Sequence, residues 1–321
     1  MLNIHALWVK PIVRDCATLV GVLGSLALFV YASGLDAALA RALYNPTAPW
    51  AMFLREYGAL SVGILAWGCL LLMFWPYLST RNPAMYRSAA VIVITAVFGA
   101  GLLNQVIIKN LADRPRPRDV VLAEAPATNT TEFKGKSMPS GHAGLGFVLA
   151  APFFTLRPRH RKAADISLAL GVLAGSAIGV ARMVAGAHFL SDVLVAALIT
   201  LLTARLAAEA MDRWRFIPRM ALLTLMILAA AAFVLGNKFT LTLRYQATEP
   251  WHTLNLPCVL ESEPNQDVTT PTIALTLTGY GAPLSQLRLM DDHGILRLRT
   301  EYGLYHHLAC QGKLLMPLSS E

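Results

Sequence analysis

Apolar runs of about 17 or more residues recur along the chain, and each is long enough to cross the hydrocarbon core of a bilayer. They are Ala17 to Ser33, Tyr57 to Tyr77, Ser88 to Ile108, Ile166 to Val184 and Phe189 to Ala208, with a slightly shorter run from Met220 to Leu235. A further apolar helix begins near Ser140 and continues from Leu145 to Leu156. Only 14% of the 321 residues are charged, against roughly 25% in a soluble domain. Mean hydropathy is +0.52. The pattern predicts an all-α polytopic membrane bundle of seven spans and excludes an ordinary soluble globule.

The net charge of +8 does not point to nucleic acid, because the basic residues cluster in turns between apolar runs. With the N-terminus inside, the turns after spans two, four and six fall inside too. They carry Arg81 and Arg87; Arg157, Arg159, Arg161 and Lys162; and Arg213, Arg215 and Arg219. The first span reads as retained, since no convincing signal-peptide cleavage site follows it. Leu35 to Leu43 reads as an amphipathic interfacial helix, followed by a turn at Asn45-Pro46. Trp67, Trp75 and Tyr77 are available as interface anchors. The exception to the charge rule is the outer loop after Ile108, with Lys109, Arg114, Arg116, Arg118, Lys134 and Lys136. A basic loop on the outer side needs another reason, and an anionic ligand supplies one.

From residue 237 the chain changes character. Thr240 to Tyr245, Thr272 to Thr278 and Leu284 to Leu289 alternate like strands, and Leu289 to Ile295 reads as a hairpin turn. The expected division is an N-terminal span and interfacial segment (1–56), a catalytic core (57–210), a seventh span (211–236) and a small β-rich extracytoplasmic domain (237–321). Cys258 and Cys310 in that domain can pair in an oxidising compartment, whereas Cys16 and Cys69 read as packing residues.

Three polar stretches sit at the ends of apolar runs, all on the outer face by span parity: Lys109 to Pro117, Pro139 to His142, and Arg182 to Asp192. Lys109, Arg116 and Arg182 supply three positive charges, enough to balance a phosphate dianion, and Arg offers a planar fork that matches it. Ser140 and Gly141 stand where a helix begins, a position that favours an anion. His188 and Asp192 are four apart, so on a helix they share a face, and a carboxylate on one imidazole nitrogen leaves the other as nucleophile. His142 then serves as general acid. Taken singly, these residues also fit snorkelling cations, a capped helix start and a polar pair tying helices together. A metal site built from His142, His188 and Asp192 is disfavoured by three nearby cations. His293, His306 and His307 read as surface residues, and Asn129-Thr130-Thr131 matches a glycosylation acceptor weakly.

The pattern Lys-x6-Arg-Pro, Pro-Ser-Gly-His and Arg-x5-His-x3-Asp, over about residues 57–210, resembles the type 2 phosphatidic acid phosphatase superfamily, in its membrane-bound bacterial lipid phosphatase branch. The third motif departs from that family's usual Ser-Arg, because Ala181 precedes Arg182. The resemblance implies a six-helix core and a cofactor-free, metal-independent phosphatase acting through a phosphohistidine. His188 is then the nucleophile, oriented by Asp192, with His142 as acid. Lys109, Arg116, Ser140, Gly141 and Arg182 hold the phosphate. The implied substrate is a lipid phosphate or diphosphate, such as phosphatidylglycerophosphate, phosphatidic acid, undecaprenyl diphosphate or lipid A phosphate, at the outer, periplasmic face of the inner membrane. The expected partners are that lipid and the bilayer, with no nucleic acid. Transfer to another lipid instead of water, a non-catalytic lipid-phosphate binding or transport protein, and a vanadate haloperoxidase are the alternatives. The intact histidines speak against the second, and the apolar runs against the soluble third.

Overall fold

The computed structural model describes residues 11–75, 81–121, 131–133, 136–213 and 219–236. In the C-terminal part it describes 238–246, 253–256, 258, 260–265, 270–282, 288–292, 295–299 and 304–317. Tyr77, Asn129, Thr130, Lys134, Arg215 and His293 lie outside the described residues. The chain divides into two compact units: residues 1–122 with 136–230, and residues 123–135 with 231–321.

The first unit is helical. Its helices are α1 (Pro11–Ala32), α2 (Leu35–Leu43), α3 (Pro49–Met73), α4 (Pro83–Ala112), the short α5 (Pro117–Val120), α6 (Gly141–Leu156), α7 (Arg161–Val184) and α8 (Leu190–Arg213). Helix α9 (Arg219–Gly236) follows. Among the described residues five helices are long and apolar enough to cross a membrane: α1, α3, α4, α7 and α8. Helix α6 is apolar but shorter, and narrows to a tighter turn at Val148–Ala150 just before Pro152. This is a multi-pass membrane protein. Proline opens α3, α4 and α5, where the missing N–H costs nothing. At α4 the Asn82 side chain also accepts the Met85 N–H at 3.1 Å.

Small residues let the helices approach closely. Gly171, Gly175 and Gly179 are four apart on α7. A Cβ at Gly171 would lie 2.3 Å from the Ala150 nitrogen, and one at Gly175 would lie 2.4 Å from Cδ1 of Phe147. A Cβ at Gly179 would lie 2.6 Å from Cγ1 of Val193 on α8. Adding even a methyl on this face forces α6 or α8 away, which typically costs about 1–3 kcal/mol. The close packing matters for function because Arg182 lies in the last turn of α7 and Asp192 in the first turn of α8. A second core joins α3, α4, α6 and α8 through Leu70, Tyr86, Val91, Val148 and Met211. Asn104 is fully buried in the bundle and donates to Thr200 Oγ1 at 3.4 Å.

The second unit is β-rich. Strands β1 (Thr131–Phe133), β2 (Lys238–Gln246), β4 (Leu260–Asn265), β5 (Thr272–Ala282) and β8 (Leu304–Pro317) form a sheet in the order β1-β2-β5-β8-β4. A second sheet has the order β3-β7-β6, from Thr253–Asn255, Ile295–Arg299 and Arg288–Asp292. Strands β2 and β5 pair antiparallel with Leu241 opposite Leu277 and Leu243 opposite Leu275. Those four side chains, with Ile273 and with Leu296 of the other sheet, form a core sealed from solvent. Each contributes about 1.5–3 kcal/mol on burial. Cys258 and Cys310 pack against this core and are joined as a disulfide.

Two features here go beyond what the sequence indicated. The loop after α4 is not wholly a connector: its residues 131–133 add an edge strand to the C-terminal sheet. Helix α2 has the expected bounds, but Asp36 points inward and is 4% exposed, so this is not a helix whose polar face simply meets headgroups.

Candidate active site

Backbone hydrogen bonds stitch the three polar stretches into a closed triangle. The Ser137 N–H donates to the Arg114 carbonyl at 2.7 Å, next to an antiparallel bridge between Pro115 and Lys136. The Ser140 N–H donates to the Asp192 carbonyl at 3.2 Å. The Arg118 N–H donates to the Gly186 carbonyl at 3.0 Å. Gly186 closes α7 with φ +65°, the left-handed turn that turns the chain back toward α8. A Cβ there would also meet the Tyr44 ring at 2.8 Å.

Lys109 stands on the last turn of α4 and donates to Gln105 Oε1 at 2.8 Å. It lies within electrostatic reach of Arg116, Arg182 and Asp192. His142, in the first turn of α6, is within reach of Arg182, Lys109 and Arg116. The structure therefore brings the sequence-predicted cations and both histidines to one neighbourhood. Four buried polar atoms there have no protein partner: Arg116 Nε, Arg182 Nε, Ser137 Oγ and Ser140 Oγ. Buried polar groups normally find partners, so a set of orphans beside crowded cations fits an anion with several acceptor oxygens. Burial, and Arg118 beside it, pull the Arg116 pKa below its ordinary value. Among the described residues no group of three or more His, Cys, Asp or Glu side chains is arranged to hold a metal.

His188 is 1% exposed. Its Nδ1 lies 2.5 Å from the Ser137 carbonyl oxygen, which can only accept, so Nδ1 carries the proton and Nε2 keeps its lone pair. Asp192 Oδ2 is 3.8 Å from Nδ1, within ion-pair range and beyond a hydrogen bond. The Ser137 carbonyl is thus the hydrogen-bond acceptor for Nδ1, with the Asp192 carboxylate on the same side of the ring, its Oδ2 also taken by the Phe189 N–H at 2.7 Å. The geometric reason is that Asp192 opens α8, where the free N–H of residue 189 competes for its carboxylate. Burial pushes the His188 pKa down to about 3, and Lys109 and Arg182 push the same way, against the contrary pull of Asp192.

Gly141 and Ser140 also differ in detail from expectation. The Ser140 N–H is taken by Asp192, leaving its hydroxyl to the pocket. A Cβ at Gly141 would lie 1.9 Å from Gln105 Nε2, so the space at this glycine is filled by the side chain that holds Lys109. Gln105, Ser137, Arg114 and Asp36 were not singled out from the sequence as site residues. Arg114 and Ser137 sit inside or beside the motifs, which was a usable signal; Asp36 and Gln105 offered none. A cavity of about 930 Å3 opens at the opposite helix ends, among Arg14, Arg157, Arg161 and Arg205, and includes none of these residues.

Residues 89–216 match the profile of the PAP2 superfamily. The matched stretch, less than half of the chain, is similar to that superfamily. It holds every motif residue from Lys109 to Asp192 and leaves out α1, α2 and α3. No curated protein matches the chain. Two solved structures are similar. One is the first transmembrane PAP2 type phosphatidylglycerolphosphate phosphatase from Bacillus subtilis, with 18% identity over 62% of this chain and 96% of that one, at a TM-score of 0.43. The other is Aquifex aeolicus LpxE, with 24% identity over 55% of this chain and 95% of that one, at a TM-score of 0.38.

Proposed function

We propose that the protein is a membrane lipid phosphatase that hydrolyses a lipid phosphate monoester or diphosphate by way of a phosphohistidine on His188. The observation that carries this reading is the neutral, pre-oriented imidazole of His188 beside four unpartnered buried polar atoms and three cations. The similarity of residues 89–216 to the PAP2 superfamily supports it. Lys109, Arg116, Arg182 and the Ser140 hydroxyl bind the phosphoryl oxygens, where charge develops in the transition state. Nε2 of His188 attacks phosphorus as the bond to the lipid oxygen breaks, and His142 gives its proton to that leaving oxygen. In the second step His142 takes a proton from water, whose oxygen displaces His188 from phosphorus. The chemistry is carried by side chains alone, with no metal.

The proposed placement is the inner membrane, with the site and the β-rich unit on the periplasmic side. The excess of Arg and Lys at the opposite helix ends supports it. The proposed catalytic core remains residues 57–210, flanked by segment 1–56, the span in 211–236 and the domain 237–321.

The test is phosphate release by detergent-solubilised protein over a panel of lipid phosphates, alongside His188→Ala. Release by the wild type that is abolished in the variant and unaffected by EDTA is the expected result. Undiminished release by His188→Ala rejects the nucleophile; loss with EDTA rejects the metal-free step.

A further inference from the structure

We propose that Arg114 and Asp36 form a positioning clamp for the His188 loop, so that helix α2, outside the stretch that matches the PAP2 superfamily, completes the active site. The inference rests on the phosphatase reading above and adds two residues to its machinery.

Arg114 spreads its guanidinium across two carboxylates. Nη1 donates to Asp192 Oδ1 at 2.7 Å and to Ser191 Oγ at 2.7 Å, and Nη2 donates to Asp36 Oδ2 at 2.9 Å. Asp36 in turn accepts the Ser191 N–H on Oδ1 at 3.0 Å, and the Ser191 hydroxyl on Oδ2. The guanidinium also lies 4.0 Å from the Phe189 ring centroid and 5.1 Å from that of Tyr31 on α1. The groups touched, Phe189, Ser191 and Asp192, are the three that surround the turn carrying His188. Both carboxylates are nearly sealed from solvent, so they need the cation that joins them. None of the bonds reaches the phosphate cations, and Arg114 was not among the unpartnered atoms of the pocket.

The chemistry of this clamp is specific. Only a planar fork can serve Asp192 and Asp36 at once, so lysine keeps the charge and loses the geometry. Asp192 so held keeps Oδ2 on the Phe189 N–H and at a fixed distance from His188. A misplacement of the imidazole of about 1 Å costs on the order of 10²-fold in rate.

The experiment uses the full chain in detergent, with dioctanoyl phosphatidic acid as substrate and inorganic phosphate as competing ligand. Arg114→Lys and Asp36→Asn should each lower kcat about 10²-fold. KM and inhibition by phosphate should stay within about threefold, because the cation pocket is untouched. Arg114→Gln should add a second effect that a merely structural role does not give. With Asp192 no longer balanced by Arg114, its charge stabilises imidazolium on His188 against Lys109 and Arg182. The acid limb of kcat/KM should then move to higher pH, while Arg114→Lys leaves it in place. Wild-type kcat in Arg114→Lys, equal losses in kcat and phosphate binding, or unfolding of all three variants by thermal melt overturns the clamp. A wild-type protein releasing no phosphate instead overturns the phosphatase reading on which it stands.

Discussion

Gly141→Ala tests how the pocket is built. The new methyl would stand 1.9 Å from Gln105 Nε2 and 2.2 Å from its Cδ, so the Gln105 side chain must leave. It is the end of a flexible side chain, and the fold survives its displacement. What is lost is the 2.8 Å bond by which Gln105 Oε1 holds the Lys109 ammonium. A hydrogen bond to a charged group is worth about 1.5–3 kcal/mol. If the whole of that is realised at the transition state, kcat/KM falls roughly 10- to 150-fold. Gln105→Ala should produce a loss of the same size, because it removes the same bond without a clash. The double variant decides the matter: with Gln105 already shortened, the alanine at 141 has room and should cost little more. The assay is phosphate release at subsaturating substrate for the wild type, both single variants and the double variant. Strict additivity of the two losses refutes the reasoning and returns Gly141 to a direct role against the phosphate.

Two further outcomes follow from the geometry. His188, with its pKa pushed down to about 3 by burial, should hold its neutral form at every pH above that value, so its protonation should not limit kcat/KM between pH 5 and 8. In the unfolded chain the ring titrates near 6.5, so the unfolded state binds the extra proton between these values; stability should fall as pH drops from 6.5 toward 3. Thermal melts of wild type and His188→Ala across that window should show the wild type losing more, and parallel curves would contradict it. In the β-rich unit, Cys258 and Cys310 close a loop of 52 residues, a constraint worth about 4 kcal/mol in the chain-entropy account. Thiol labelling of denatured, unreduced protein should therefore tag Cys16 and Cys69 alone; labelling of all four cysteines would refute the pairing.

What the amino-acid sequence determined is what local chemistry and period determine. Apolar run lengths marked the long helices, α2 began and ended at Leu35 and Leu43 as its pattern implied, and alternation marked β2 and β5; the hairpin expected over Leu289 to Ile295 is the β6-β7 pair, whose first strand occupies residues read as turn, while 284–287 lie outside the described residues. The cations and histidines could be named because they sit at helix ends with fixed spacing. What only the tertiary structure decided is which groups meet. Asp36 reaches Ser191 across 155 residues, and Gln105 fills the space at Gly141, because separate helices pack against each other there. The Nδ1 of His188 meets a carbonyl 51 residues away as well as the carboxylate four residues on. A side chain's spacing along its own helix is fixed by backbone geometry, but its partner on another helix is fixed by packing, which no local pattern encodes.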